Sequence, residues 1–183
     1  LLTLVYPNRQ RDMVRTMIDM YREHGWLPKW ELYGRETYTM EGDPAIPVIV
    51  DTWLKGLRGY DINTAYEAMR KGATTPGPQN LLRPDNDDYL SLGYVPLREQ
   101  YDNSVSHALE YYIADNALSR LAAALGKKAD SRLFYNRSLG YRHYYSKEYG
   151  TLRPILPNGK FYSPFNPKQG ENFEPSPGFH EGN

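Results

Sequence analysis

Near the end of the chain, His180-Glu181-Gly182-Asn183 sets a carboxylate beside a flexible glycine and an amide. The motif follows a loop rich in Pro, Phe and Gly, surroundings that raise a carboxyl pKa by desolvation. A carboxyl group kept protonated near neutral pH is a general acid, able to hand its proton to a departing oxygen. By residue type alone a structural glutamate is equally open, yet Glu181 is the best candidate acid in the sequence. A second segment, Trp26 to Glu31, puts two tryptophans, a lysine and a glutamate on a proline-stiffened loop. Aromatic planes with charged hydrogen-bonding groups suit a sugar, whose ring faces stack and whose hydroxyls need fixed partners. The competing reading is a loop plugged by its tryptophans. A third, Gly42-Asp43-Pro44, either presents Asp43 to a ligand or uses it to cap the helix that follows.

Other chemistries are excluded or unsupported. Without cysteine there is no disulfide, thiol nucleophile or cysteine-bound zinc. No Gly-rich phosphate loop, HExxH pair or GxSxG elbow occurs. Asp85-Asn86-Asp87-Asp88 resembles the start of a calcium loop, but Leu90 stands where the turn needs glycine and Pro96 where a glutamate would close it. It reads as a solvated loop capping backbone donors. His24, His107 and His143 have no partner at metal-ligand spacing and read as helix-end or packed histidines. Asn136-Arg137-Ser138 is a formal glycosylation sequon in the middle of a helical segment.

Lys+Arg and Asp+Glu are equal at 22 each, which argues against a nucleic-acid binder. No apolar run approaches the roughly 20 residues of a membrane span. The unusual quantity is aromatic: 17 Tyr, 3 Trp and 5 Phe. Tyrosine, apolar along its ring and polar at its tip, suits both wet clefts and helix seams.

The elements that must position these groups are mainly helical. Pro7 to Glu23 has apolar residues at Met13, Met17, Ile18 and Tyr21, with Gly25 as its stop. A helix capped by Asp43 is expected to run to about Lys55 with Ile46, Ile49, Val50 and Trp53 on one face. Another starts at Asp61 and ends near Gly72. Residues 74–93 read as one long loop. The strongest helix spans about Ser104 to Leu125, with Val105, Leu109, Tyr112, Ile113, Asn116, Leu121 and Leu125 sharing a face. A further helix covers about Ala129 to Tyr145, and residues 151–167 read as a short extended pair turning at Asn158-Gly159. The fold class is therefore mainly α: helical hairpins of a partial (α/α) toroid, with long loops and a short β-hairpin near the C-terminus.

In order along the chain, several runs resemble the catalytic region of glycoside hydrolase family 92, the calcium-dependent exo-α-mannosidases. They are Gly25-Trp26-Leu27-Pro28-Lys29-Trp30; Met40-Glu41-Gly42-Asp43-Pro44-Ala45-Ile46-Pro47-Val48-Ile49 with Asp51; Leu54-Lys55-Gly56; and Gly93-Tyr94-Val95-Pro96. Val105-Ser106-His107-Ala108-Leu109-Glu110-Tyr111, Asn136-Arg137-Ser138, Leu152-Arg153-Pro154, Pro164-Phe165-Asn166-Pro167 and Glu181-Gly182-Asn183 continue the series. Thr52-Trp53 stands where the family more often has Ala-Tyr.

The resemblance implies an inverting enzyme that removes terminal α-mannose, from α-1,2-linked or related mannans and N-glycans, with Glu181 as general acid. Trp30, Glu31, Asp43 and His180 are the candidate substrate contacts. It also implies a parent with an N-terminal β-sandwich, of whose toroid residues 1–183 form one segment. Both ends, Leu1-Leu2-Thr3-Leu4 and Glu181-Gly182-Asn183, read as cuts through that larger protein. The catalytic base and the ligands of calcium are expected outside this chain, so the segment alone is expected to be inactive. Its partners would be a mannose-containing oligosaccharide and the rest of the parent, with no nucleic acid; its location, by the same analogy, is periplasmic or secreted in a bacterium. Two other readings stand beside this one: another inverting toroid glycosidase of trehalase or glucoamylase type, and a carbohydrate-binding scaffold without chemistry.

Overall fold

A computed structural model describes residues 1–98, 103–169 and 178–179. Seven α-helices occur among them: α1 Leu2–Val5, α2 Pro7–His24, α3 Ala45–Leu54, α4 Ile62–Thr74, α5 Asn86–Leu92, α6 Ser104–Ala124 and α7 Lys128–Ser138. Two small antiparallel pairs join them, β1 Glu31–Leu32 with β2 Arg35–Glu36 and β3 Tyr145–Ser146 with β4 Thr151–Leu152. The mainly helical class is as expected.

Local signals act where the sequence places them. Pro7 opens α2, and Gly25 ends it in the left-handed region at φ 79° with its N–H on the Tyr21 carbonyl. Asp61 caps α4, its Oδ1 accepting the N–H groups of Asn63 and Thr64. Other features differ from expectation. The buried stripe of α2 is Gln10, Val14 and Ile18, whereas Met13 is 49% exposed. Gln10 donates to Thr52 Oγ1 at 2.8 Å and ties α2 to α3.

Gly72 does not stop α4. A Cβ there would lie 3.0 Å from both Asp43 Oδ2 and Leu82 Cδ1, so the glycine allows close packing and the helix runs on to Thr74. Residues 74–93 are not all loop, because α5 forms within them and ends on Gly93 at φ 80°. Nor is the C-terminal helix continuous to Tyr145. At Leu139 it tightens into a 3-10 turn, Leu139–His143, where a Cβ on Gly140 would sit 2.5 Å from Tyr112 Cε1 and 2.7 Å from the Gly93 carbonyl. The Asn158-Gly159 turn is present, bracketed by a bridge between Ile155 and Phe161, while Thr151 and Leu152 pair back to Ser146 and Tyr145.

The long helix α6 is the hub, packing on α3, α4 and α7. Tyr111, Asp115, Leu118 and Ala122 are buried along with Val105, Ala108, Tyr112 and Leu121, a surface too wide for one amphipathic stripe. Ile113, expected to share the buried face, is 54% exposed. One apolar core fills the space between α2, α3, α4, α6 and α7. A second is built largely of Tyr89, Tyr94, Tyr111, Tyr112 and Tyr144 with Val95, Val105 and Ile155, so much of the tyrosine excess is interior.

A charge network lies buried along α6. Arg83 donates from Nη1 to Asp115 Oδ1 at 2.9 Å and from Nε to Asp43 Oδ2 at 3.4 Å, with all three side chains fully buried. Asp115 Oδ2 also accepts the Tyr89 hydroxyl at 2.9 Å and lies 2.8 Å from Arg137 Nε. Burial alone would lower the Arg83 pKa, but Asp115 and Asp43 outweigh it and hold it above its ordinary value. Asn80 sets Arg83 in place: its Oδ1 accepts the N–H groups of Leu82 and Arg83, and its Nδ2 donates to the carbonyls of Gly72 and Thr75. Arg83→Met strips Asp43 of its paired arginine and leaves Asp115 with Arg137 alone, and should cost about 3–5 kcal/mol in denaturant unfolding of the protein; a loss below about 1 kcal/mol would show that the network is dispensable.

Candidate functional site

The N-terminal end of α6 gathers the chemistry. Its first N–H groups have no partner within the helix, and the Gly178 carbonyl accepts two of them, from Val105 at 2.8 Å and Ser106 at 3.2 Å. Phe179 packs on the tyrosine-rich core. Across this end lies the segment 28–43, which carries the β1–β2 hairpin. Tyr33 and Gly34 turn the hairpin with positive φ values of 52° and 75°, the twist a two-residue turn needs.

Glu36 organises that segment from within. Its Oε1 accepts the N–H groups of Trp30, Thr37 and Tyr38, and its Oε2 that of Lys29, all within 2.9 Å. Burial works to raise its pKa, but these backbone bonds prevail and hold the carboxyl below its ordinary value. Lys29, 9% exposed, donates to the Leu82 carbonyl at 2.9 Å. Burial lowers its pKa against the opposing pull of Asp43, Glu41, Asp85 and Glu36.

The turn at 40–43 aims Glu41 at α6. Met40 and Gly42 both have positive φ, 67° and 84°, and a Cβ on Gly42 would lie 2.6 Å from Glu110 Cβ. Glu41 Oε1 accepts from Asn103 Nδ2 at 2.9 Å and lies 4.0 Å from His107 Nε2. On its other side the His107 ring meets Asp85, Nδ1 against Oδ2, and it packs beside Tyr111 with ring centroids 6.1 Å apart. Burial, and then the charge of Glu41, raise the pKa of Glu110. Carboxylate, imidazole, amide and ammonium thus meet at one helix end, a set suited to hydrogen-bonding a polyhydroxylated ligand. Among the described residues no group of three or more His, Asp or Glu side chains could hold a metal ion.

The sequence-expected site residues separate here. Trp30 and Glu31 are both exposed on the hairpin and line a groove of about 490 Å³ with Met13, Met17, Pro28 and Val48. Asp43 neither caps a helix with its side chain nor reaches the surface. Pro44 occupies the cap position, and the Asp43 carboxylate is drawn 40 residues along the chain to Arg83, at 1% exposure. A ligand contact through it requires an opening that this packing does not provide. Glu181 and His180 lie outside the described residues.

Lys29 belongs to the Trp26–Glu31 loop that suits a sugar, whereas Glu41, Asp85, Asn103 and His107 carry no sequence signal of a site. Asp85 sits in an acidic run whose sequence suits a solvated loop, and the sequence around His107 suits a helix-end or packed histidine. Their pairing crosses 22 residues of sequence and follows no spacing rule. His143 does pack, against Tyr94 at 5.6 Å.

The whole chain, residues 1–183, matches the glycosyl hydrolase family 92 catalytic domain. Similar solved structures include an inverting mannosidase of that family from Bacteroides thetaiotaomicron, 28% identical, with a TM-score of 0.88 over 99% of this chain and 24% of the other. An α-mannosidase of the family from the same organism, in complex with mannoimidazole, is 33% identical with a TM-score of 0.81 over 91% of this chain and 21% of its own. A relative from Arthroderma benhamiae, described as an uncharacterized secreted glycosidase, is 27% identical over 75% of this chain and 19% of that protein. The chain spans a quarter or less of the length of these relatives. The trehalase or glucoamylase reading is set aside by the family match.

Glu36→Ala removes the acceptor of four backbone N–H groups and should cost about 1–2 kcal/mol, discounted for partial exposure. Because the folded pKa of Glu36 lies below its ordinary value, this contribution is present above the unfolded pKa and is lost as pH falls through the folded one. Amide hydrogen exchange at Lys29, Trp30 and Tyr38 should therefore quicken in the variant at neutral pH, and in the wild type only below the usual carboxylate range. Unchanged protection in the variant would contradict this account of the hairpin.

Proposed function

The chain belongs to glycosyl hydrolase family 92, and from that premise we propose that the protein containing it removes terminal α-mannose residues from oligosaccharides, with inversion and with Glu181 as the general acid. The observation that carries the reading is the anchoring of Gly178 on the N–H groups of Val105 and Ser106. It holds Gly178, three residues before Glu181 in sequence, at the helix end where Glu41, Asn103 and His107 meet. One residue, His180, lies between Phe179 and Glu181, so their Cα atoms are about 7 Å apart at most. The mannosidase names of the two Bacteroides structures support the substrate class.

In the proposed reaction Glu181 gives its proton to the glycosidic oxygen as the bond to the anomeric carbon breaks. Water adds to that carbon from the opposite face, losing its proton to a second carboxylate that we place outside this chain. Inverting glycosidases keep the two carboxyl groups about 6.5–9.5 Å apart to leave room for that water. Within the chain, Trp30 and Glu31 supply an aromatic plane and a hydrogen-bonding carboxylate to the sugar, and His180 a further contact. Calcium, when bound, would hold mannose hydroxyls; the described residues offer no ligand set for it, and none of the steps above passes through it. We further propose that residues 1–183 are one segment of an (α/α) toroid in a protein that also has a β-sandwich, that α-1,2-linked or related mannans and N-glycans are its substrates, and that it is exported, to the periplasm or the medium. No described helix is long and apolar enough to cross a membrane.

In the intact protein, Glu181→Gln should lower kcat/KM on a mannobiose by about 10²–10⁴-fold. It should largely spare an aryl mannoside whose leaving group departs unprotonated. Equal losses on both substrates would refute the acid role, and a wild-type protein inert on every mannoside would favour a binding scaffold.

A further inference from the structure

We propose that the groove between α2 and α3 is the seat of a further helix, supplied by the part of the same polypeptide that lies outside residues 1–183. The inference rests on the reading above that this chain is one segment of a larger helical domain, and it adds a surface through which the parts join. α2 carries more apolar surface than its neighbours cover. Val14 and Ile18 are buried in the core, whereas Met13 is 49% exposed and Met17 and Met20 are only partly buried. At 3.6 residues per turn these five side chains span an apolar arc of roughly 160°, with Asp12, Arg15, Asp19 and Arg22 on the opposite side. One half of the arc faces the core. The other half, the three methionines, is a wall of the groove.

Two cavities of about 490 and 560 Å³ adjoin along this wall and share Met13, Met17 and Val48. Gln10 and Met20 each line only one of them, so the groove extends about 15 Å along α2, close to three turns of a docked helix. Val48, 36% exposed, forms the α3 wall with Pro44 and Pro47. Rows of side chains on two packed helices make the channel that a ridge of a third helix enters, and methionines adapt to the shape that fills it. The occupant is assigned from length, because the two Bacteroides mannosidases match this chain over 99% and 91% of its residues while it covers only 24% and 21% of theirs. A segment of the same polypeptide also meets the groove at a high effective concentration. Trp30 and Glu31 line one end of the groove, so the incoming helix borders the sugar-binding hairpin and closes its open side.

The test uses the intact protein and reads no hydrolysis, which keeps it separate from the mannosidase reading. Under peroxide, peptide mass analysis should find Met13 oxidised at least about 5-fold more slowly in the folded wild type than in the protein unfolded in denaturant. In two separate variants p-benzoylphenylalanine replaces Met13 or Val48. Irradiation should crosslink each within one molecule to a helical segment outside residues 1–183 that has apolar residues at i, i+3, i+4 and i+7. The wild-type oxidation rate decides the matter if either variant fails to fold. Weaker protection of Met13, no crosslink from folded variants, or crosslinks to a second copy, to residues 1–183 alone or to a β-strand would overturn the proposal. Protection with the expected crosslink in a protein inert on every mannoside would uphold the docked helix and overturn the mannosidase reading alone.

Discussion

Two arginines and two aspartates balanced in charge, with Arg83, Asp43 and Asp115 fully buried and Arg137 partly so, are the constraint on which the rest of the structure depends. Asp115 sits midway along α6 and takes Arg83 and Tyr89 as donors with Arg137 beside them. Removing such ions from water costs several kcal/mol each, and their mutual attraction repays this only when geometry and partners are in place. The network therefore acts less as a source of stability than as a gauge of position, since few arrangements of α3, α4, α5 and α6 satisfy it. Asn80 locks Arg83 to the end of α4. Asp43 is locked through Arg83, and with it the turn that carries Glu41 toward α6. Tyr111, beneath the same guanidinium, supports His107. A cluster of charge in the interior thus dictates the polar surface at the helix end.

Around that fixed centre the mobile-looking parts of the sequence are tied down one carboxylate at a time. Glu36 gathers the N–H groups of a hairpin that has only two residues in each strand, too few to hold itself. Lys29 fills the space beneath it and offsets the negative charge of Glu41, Asp43 and Asp85. Trp30 and Glu31 are left facing outward on this stiffened frame.

What was legible in the sequence is what depends on neighbours along the chain. Pro7 with Gly25 and Asp61 with Thr64 each act within a turn or two of helix, and they bound α2 and α4 much as read. The ordered family motifs carried the fold class and the family. What was not legible depends on partners far along the chain. Asp43 has the sequence context of a helix cap, yet Arg83 outbids the local donors for its carboxylate. Gly72 looks like a stop but is a point of close approach to Leu82. The two buried sides of α6 leave no single stripe to read, so Ile113 was misplaced. Asp85 and His107 each look ordinary alone, and their contact exists only after folding. Glu181 and His180 lie outside the described residues, and the case for them stays with the motif and with the anchoring of Gly178.

The most direct test of the central claim, that the N-terminal end of α6 is the sugar-binding mouth beside the acid, is a crystal structure of the intact protein carrying Glu181→Gln with a mannobiose bound. The account predicts an uncleaved disaccharide seated at the N-terminal end of α6 with the residue 181 side chain within hydrogen-bond reach of the glycosidic oxygen. A disaccharide bound away from this helix end, or one bound here with residue 181 turned from the glycosidic oxygen, would contradict it.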